Sequence, residues 1–304
     1  MLPTSCLGRL LPVICCATLW LPGCGSDGDG SKVSGGNGGS AANGGSAGSS
    51  GGNQSFGGTF NTGGSANAGA GNGGSGGGKC DPNLTGLVRD FKAAEEPGGH
   101  PDFQAFTGSQ ASTGMVREQL GADSKPVYAA SGPYFGSQGQ QTTSQERFDQ
   151  WYRDTDGVNQ TVQFTLTLTE GPDGISSYEN DEFFPIDGQG FGNYQAYEDG
   201  LHNFHFTFEL HTEFAYNGGE VFTFKGDDDL WVFINKKLAI DLGGLHSQLT
   251  DAVSLDAIAG EFGLEVGGTY ALDLFHAERR TEASRFRIDT SLEFTNCDPI
   301  IIPK

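Results

Sequence analysis

The stretch Phe224-Lys225-Gly226-Asp227-Asp228-Asp229-Leu230-Trp231-Val232-Phe233-Ile234-Asn235 sets three adjacent acids directly before five apolar residues. An apolar run this short, without alternation and bounded by polar residues, fits a central strand covered on both faces. Outward from it the pattern becomes strict alternation. Val162, Phe164, Leu166 and Leu168 alternate with polar residues, as do Phe204, Phe206, Phe208 and Leu210. Tyr270, Leu272 and Leu274 repeat the pattern, and so do Phe286, Ile288, Thr290, Leu292 and Phe294. Period-two burial marks half-buried antiparallel strands. Asn217-Gly218-Gly219, Asn235-Lys236-Lys237 and Gly267-Gly268 supply turns between them. A short helix is predicted at about 144–153, where Thr143 and Glu146 have capping-box spacing and Phe148, Trp151 and Tyr152 share a face. The fold class is all-β, an antiparallel sandwich or barrel with minor helix.

Three acids in a row at the mouth of a buried strand repel one another. A hard cation such as calcium, which takes six to eight oxygens, relieves that repulsion. Neighbouring side chains on an extended chain point to opposite faces, so Asp227 and Asp228 converge only if the backbone bends sharply between them. The competing expectation is that the acids cap the strand and pair with Arg279, Arg280 or Arg285.

The chain has 304 residues, and its 50 glycines are unevenly placed. Residues 25–79 hold 23 of them, with Ser, Asn and Ala, four charges and no Leu, Ile, Trp or Tyr. Such a segment cannot offset the entropy of ordering and is expected to be a disordered tether. As a Gly-rich coil it spans roughly 40 Å end to end. Residues 80–304 carry 14 basic and 36 acidic side chains, a net of −22. That field argues against nucleic acid or an anionic membrane surface as partner, and leaves calcium, neutral sugars or a basic protein open. A domain of about 220 residues buries a core without help from metal or disulfide.

Residues 1–23 read as a secretion signal, with Arg9 in the n-region and Leu10–Leu21 as an apolar segment too short to span a bilayer. Leu21-Pro22-Gly23-Cys24 resembles the lipobox of bacterial lipoproteins, which makes Cys24 the expected lipidation site, residues 24–79 the tether, and the outer membrane or cell surface the expected address. An ordinary cleaved signal and a secreted product is the alternative. Cys80 and Cys297 bracket the non-repetitive region, and two thiols of an exported protein are expected to pair; two free thiols are the other reading.

Beyond these local signals, Gly226–His246 (GDDDLWVFINKKLAIDLGGLH) resembles the PA14-like β-sandwich and its fibro-slime branch. RFDQWYRDTDGVN (Arg147–Asn159), FFPIDGQGFGN (Phe183–Asn193), NFHFTFELHTEF (Asn203–Phe214) and LDLFHAERRTEASRFRIDTSLEF (Leu272–Phe294) extend the resemblance in order, as do VRDF and HPDF at Val88–Phe91 and His100–Phe103. It covers nearly all of 84–296. The resemblance implies a PA14-like domain at 80–304, exported and cell-surface or matrix associated. In its lectin-type members an Asp–Asp pair holds calcium, and the ion binds sugar hydroxyls. By that resemblance Asp227 and Asp228 are the calcium-holding pair, and Asp229 stands where many relatives have Gly. The lectin-type members add an Asn from a later loop. This chain has no Asn between Tyr270 and Phe294, so Glu278 or Ser284 takes that role.

Other candidates are weighed against simpler roles. His246, after Gly243-Gly244-Leu245, either faces the same site or is a structural histidine. Asp154-Thr155-Asp156-Gly157 with Asn159 has a calcium-loop flavour but lacks the distal Glu, and reads as a turn. Phe191, Tyr194 and Tyr197 stack on a sugar or serve packing. No G-x-S-x-G, H-E-x-x-H or Walker motif is present, so no catalysis is proposed. The expected function is a non-enzymatic carbohydrate-binding or adhesion module, calcium-assisted, touching membrane only through its lipid. A structural slime or matrix protein acting by protein–protein association is the rival. An accessory to a polysaccharide-degrading complex is the third reading.

Overall fold

The computed structural model describes residues 83–194, 202–281 and 283–296, all within one unit, Gly71–Lys304. The signal, the tether, Cys24, Cys80, Cys297 and Tyr197 lie outside the described residues. In chain order the elements are β1 (Asn83–Asp90), β2 (Phe135–Gly136), β3 (Gly139–Gln140), α1 (Gln145–Asp149), β4 (Gln160–Thr167), β5 (Thr169–Glu170) and β6 (Ser176–Asn180). They continue with β7 (Phe206–Tyr216), β8 (Val221–Gly226), β9 (Asp229–Ile234), β10 (Lys237–Leu242), β11 (Leu249–Ser254), α2 (Leu255–Phe262), β12 (Gly268–Glu278), β13 (Phe286–Thr290) and β14 (Glu293–Phe294). One sheet runs β10-β9-β12-β7-β1-β4, with β14 also paired to β7. The second runs β11-β8-β13-β6-β5, and β2 and β3 form a small hairpin. Every pairing is antiparallel, as the alternation predicts.

Side-chain parity explains why β9 is apolar throughout. Leu230, Val232 and Ile234 point into the core between the sheets, against Phe208, Phe224, Phe286 and Leu274 among others. Trp231 and Phe233 point the opposite way, into a second cluster with Phe275, Phe148, Trp151, Tyr152 and Tyr128. The segment from Phe91 to Tyr128 and the helical stretch around α1 thus cover the outer face of the large sheet. The large sheet is buried on both sides, and central strands carry apolar residues at every position.

The same cover changes what the polar positions of β7 do. Thr207 and Glu209 alternate with the core phenylalanines yet are fully buried. Glu209 is held by Lys125 Nζ, at 2.7 and 2.6 Å to its two oxygens, and by Arg89 Nη1 at 3.1 Å. Thr207 Oγ1 donates to Trp151 O at 2.5 Å.

Three local expectations shift. Ser144 caps α1, its hydroxyl accepting from Arg147 N at 3.3 Å, whereas Thr143 donates through N and Oγ1 to Asp102 Oδ1, both at 2.8 Å. The alternation from Phe286 to Phe294 breaks at Ser291 into two strands, and only the second pairs with β7. Helix α2, unpredicted, ends at Gly263 in the left-handed region. Among the described residues, no helix is long and apolar enough to cross a membrane.

Candidate functional site

The site forms where β8 hands over to β9. Gly226 ends β8 and Asp229 begins β9, so Asp227 and Asp228 make the entire crossing from one sheet to the other. The sharp bend required of neighbouring acids falls at Asp228, whose φ of 54° is left-handed. Asp is among the residues that tolerate this region. The crossing is pinned by main-chain bonds, Asp227 N donating to Arg285 O and Asp228 N to His246 O, both at 3.2 Å.

Over this crossing lies a cavity of about 320 Å³ walled by Gly108, Asp227, Asp228, His246, Arg280 and Arg285 with four further residues. Gly108 reaches it from a loop over a hundred residues earlier. A Cβ there would stand 1.9 Å from Leu245 O, so only glycine lets that loop close on the site. Gly244, at φ 88°, turns the chain that follows β10 toward the same wall.

The residues singled out in the sequence separate into three groups. Asp227 and Asp228 share the cavity wall. Asp227 Oδ2 lies 3.5 Å from Arg285 Nη1, and Asp227 Oδ1 is buried with no hydrogen-bond partner. Burial pushes the Asp227 carboxyl up, and it pushes Asp228 up to about 6, against the pull of Arg279. Asp228 Oδ2 accepts from Arg279 N at 3.0 Å.

Glu278 and Ser284 form the second group. Both are fully buried, away from the cavity wall. Burial first, and the neighbouring Asp228 second, push Glu278 well above the ordinary carboxylate range. The Glu278 carboxyl leans on the side chains of Ser284 and Asp228.

Asp229, the possible metal or glycan contact, stands apart from the cavity wall. It is fully buried, accepting Gly244 N at 2.6 Å on Oδ1 and Arg279 Nε at 2.6 Å on Oδ2. Arg279 in turn donates to the carbonyls of Gln141 (2.8 Å) and Asp102 (3.2 Å) and stacks 4.6 Å over the Trp151 ring. The acid–arginine pairing expected as the rival to calcium is therefore present, but it engages Asp229 fully and Asp227 at long range.

His246 lines the cavity, with Nδ1 3.0 Å from Ser247 O and Nε2 3.0 Å from Leu242 O. Both ring nitrogens face main-chain carbonyls, which makes it a strut of the wall. Arg280, reached in the sequence only as an ion-pair partner, stands on the wall and donates Nη1 to Phe106 O at 2.9 Å. Elsewhere, Asp154-Thr155-Asp156-Gly157 is a turn closed by Thr155 N donating to Asn159 Oδ1 at 3.0 Å. Phe191 lies under Lys92 Nζ at 4.9 Å, and Tyr194 packs on the His205 ring.

The donor set at the crossing consists of hard oxygens, and the buried Asp227 Oδ1 lacks a partner, which fits a hard cation. Among the described residues no three His, Cys, Asp or Glu side chains are gathered as one metal-holding group. Side chains could thus supply only part of a shell, with carbonyl and ligand oxygens completing it.

An antiparallel sandwich whose sheet crossing opens on an acid-walled cavity is the class that fold and site define. Residues 187–303 match the model of the PA14 domain, as the sequence resemblance implies. Among curated relatives, protein psiQ of Dictyostelium discoideum is 40% identical over 223 residues, 70% of this chain and 21% of psiQ. Protein psiC of the same organism is 40% identical over 210 residues, 66% of this chain and 40% of psiC. The chain spans between about a fifth and two fifths of these relatives. Among solved structures, the PA14 sugar-binding domain from an RTX adhesin superposes with a TM-score of 0.31 at 11% identity, covering 71% of this chain and 97% of that domain.

Proposed function

We propose that this chain is a cell-surface, non-catalytic carbohydrate-binding or adhesion module, in which calcium is held by Asp227 and Asp228. The PA14 match and the sugar-binding adhesin neighbour support carbohydrate binding as the general activity. The observation that carries the finer reading is Asp227 Oδ1, a buried and unpartnered carboxylate oxygen on the wall of the cavity beside Asp228. A buried carboxylate oxygen without a partner is costly, and a cation is the partner that removes the cost. Calcium would supply positive charge and open coordination positions for a sugar's hydroxyl oxygens. Asp227 and Asp228 hold the ion, Glu278 and Ser284 stand behind them and support Asp228, and Gly108 and Arg280 bound the opening. The lipid on Cys24 and the tether to residue 79 belong to the same reading, holding the domain out from a surface.

Calcium is expected to raise the melting temperature. At about 100 times its dissociation constant the stabilisation is about 2.7 kcal/mol. Replacing Asp227 and Asp228 together by Asn removes this increment, and a glycan array read with and without chelator shows calcium-dependent signals. A double variant that keeps the full calcium-induced shift would show the site to be elsewhere. Assembly that depends on protein concentration and needs no glycan would favour the matrix reading.

A further inference from the structure

Two guanidiniums share the wall with the two carboxylates, in a domain whose acids outnumber its bases 36 to 14. Four of those 14 bases, Arg279, Arg280, Arg285 and Arg287, fall within nine residues, and two of the four face the cavity. Arg280 spends Nη1 on Phe106 O and Arg285 spends Nη1 on Asp227. A guanidinium has five N–H donors in a planar fork, so each retains donors after these bonds. The side chain of Arg285 is 41% exposed, and its bond to Asp227 is 3.5 Å long, the weak end of the range.

From this juxtaposition we propose that the site takes an acidic sugar, a uronic acid whose hydroxyls meet the ion and whose carboxylate meets Arg280 and Arg285. The inference rests on the calcium reading. Without an ion the two carboxylates and the two guanidiniums balance, and Arg285 is turned to Asp227. A dication cancels the carboxylates, leaves the guanidinium charge uncompensated and releases Arg285 for a ligand. A carboxylate matches the guanidinium fork with two parallel hydrogen bonds, and such charge-assisted bonds are the strong ones. The overall negative field does not forbid this. It is screened over about 8 Å at physiological salt, whereas the guanidiniums act at contact. It does set a limit, since a polyuronate brings many charges against the rest of the surface. The ligand is an isolated uronate in a largely neutral glycan.

The test is titration calorimetry of the full chain in calcium, with methyl glycosides of glucose, galactose and mannose, each beside its uronate. A methyl glycoside 6-sulfate serves as a second anion. In at least one series the uronate is expected to bind about tenfold tighter than the neutral sugar. Arg285→Gln erases that preference, read as the ratio of uronate to neutral-sugar affinity within the variant itself. Arg285→Lys, which keeps charge but loses the fork, restores only part of it. Equal affinity for uronate and neutral sugar, or a preference that survives Arg285→Gln, overturns the proposal. Preference for the sulfate without the uronate overturns it too. A calcium shift with neutral-sugar binding and no charge preference sinks this inference alone; loss of both calcium shift and sugar binding sinks the reading beneath it.

Discussion

Asp227, Asp228 and Asp229 form one cluster in the sequence and two sites in the molecule. Asp229 has the parity of Trp231 and Phe233, and like them it points to the outer face, where it meets Arg279. Arg279 has the parity of Phe275 and Ala277, which also face outward. Parity along β9 and β12 makes this pair legible in the sequence; adjacency alone conceals it. The fully buried pair carries a sharp prediction. Asp229→Asn leaves the Arg279 charge unpaired in an apolar cluster and is expected to cost about 3–5 kcal/mol, read from the urea midpoint. Asp229→Leu combined with Arg279→Met removes both charges, and should cost clearly less than the sum of the two single changes. Additive losses would mean that the bond between them contributes nothing. The cavity wall was only partly legible. The sharp bend at Asp228 followed from the need to turn neighbouring acids together, but Gly108 lies far away in sequence, and no local pattern links it to Leu245.

At the scale of elements, alternation located β4, β7, β12 and β13, because one face of each meets the inter-sheet core. It could not announce the outer layer. Residues 91–128 contribute no regular element, yet Phe91, Phe103, Met115, Val116 and Tyr128 pack on the large sheet and seal its second face. Helix α2 escaped because eight residues with Gly260 inside give little helical period. The outer layer buries His100, which accepts from Asp102 N on Nδ1 at 3.2 Å and contacts Arg147 O through Nε2 at 3.2 Å. Burial lowers His100 to about 4, and does the same to His205. The sign follows from linkage. Both groups are neutral in the fold, so the stability they confer is present above the unfolded value near 6.5 and is lost as pH falls toward 4. Each contributes a slope of up to about 1.4 kcal/mol per pH unit in that window. His100→Gln is therefore expected to be less stable than the parent at pH 7, with the gap narrowing as pH falls to 4. A gap independent of pH in urea titrations would mean that His100 takes up its proton as readily in the fold as in the unfolded chain.

Across the whole molecule, net charge and local charge act in opposite directions. The folded region carries −22 while the cavity wall presents Arg280 and Arg285. A field of that sign concentrates a dication near the surface and disfavours anions, and salt weakens both effects by shortening the screening length from about 30 Å at 0.01 M to about 8 Å at 0.15 M. Contact pairs in a partly enclosed wall are screened much less. Raising salt from 0.01 to 0.15 M should therefore lower calcium affinity about tenfold. At saturating calcium, the same change should move uronate affinity by less than about threefold, because relief of long-range repulsion offsets screening of the guanidinium contacts. Calcium-dependent melting and calorimetry across that salt range measure the two responses. If both affinities fall together by the same factor, the uronate's contacts are as open to salt as the long-range field, and the two arginines of the wall are not its seat. A calcium response that ignores salt would instead mean that the long-range field of the acidic surface contributes nothing to loading the crossing between β8 and β9.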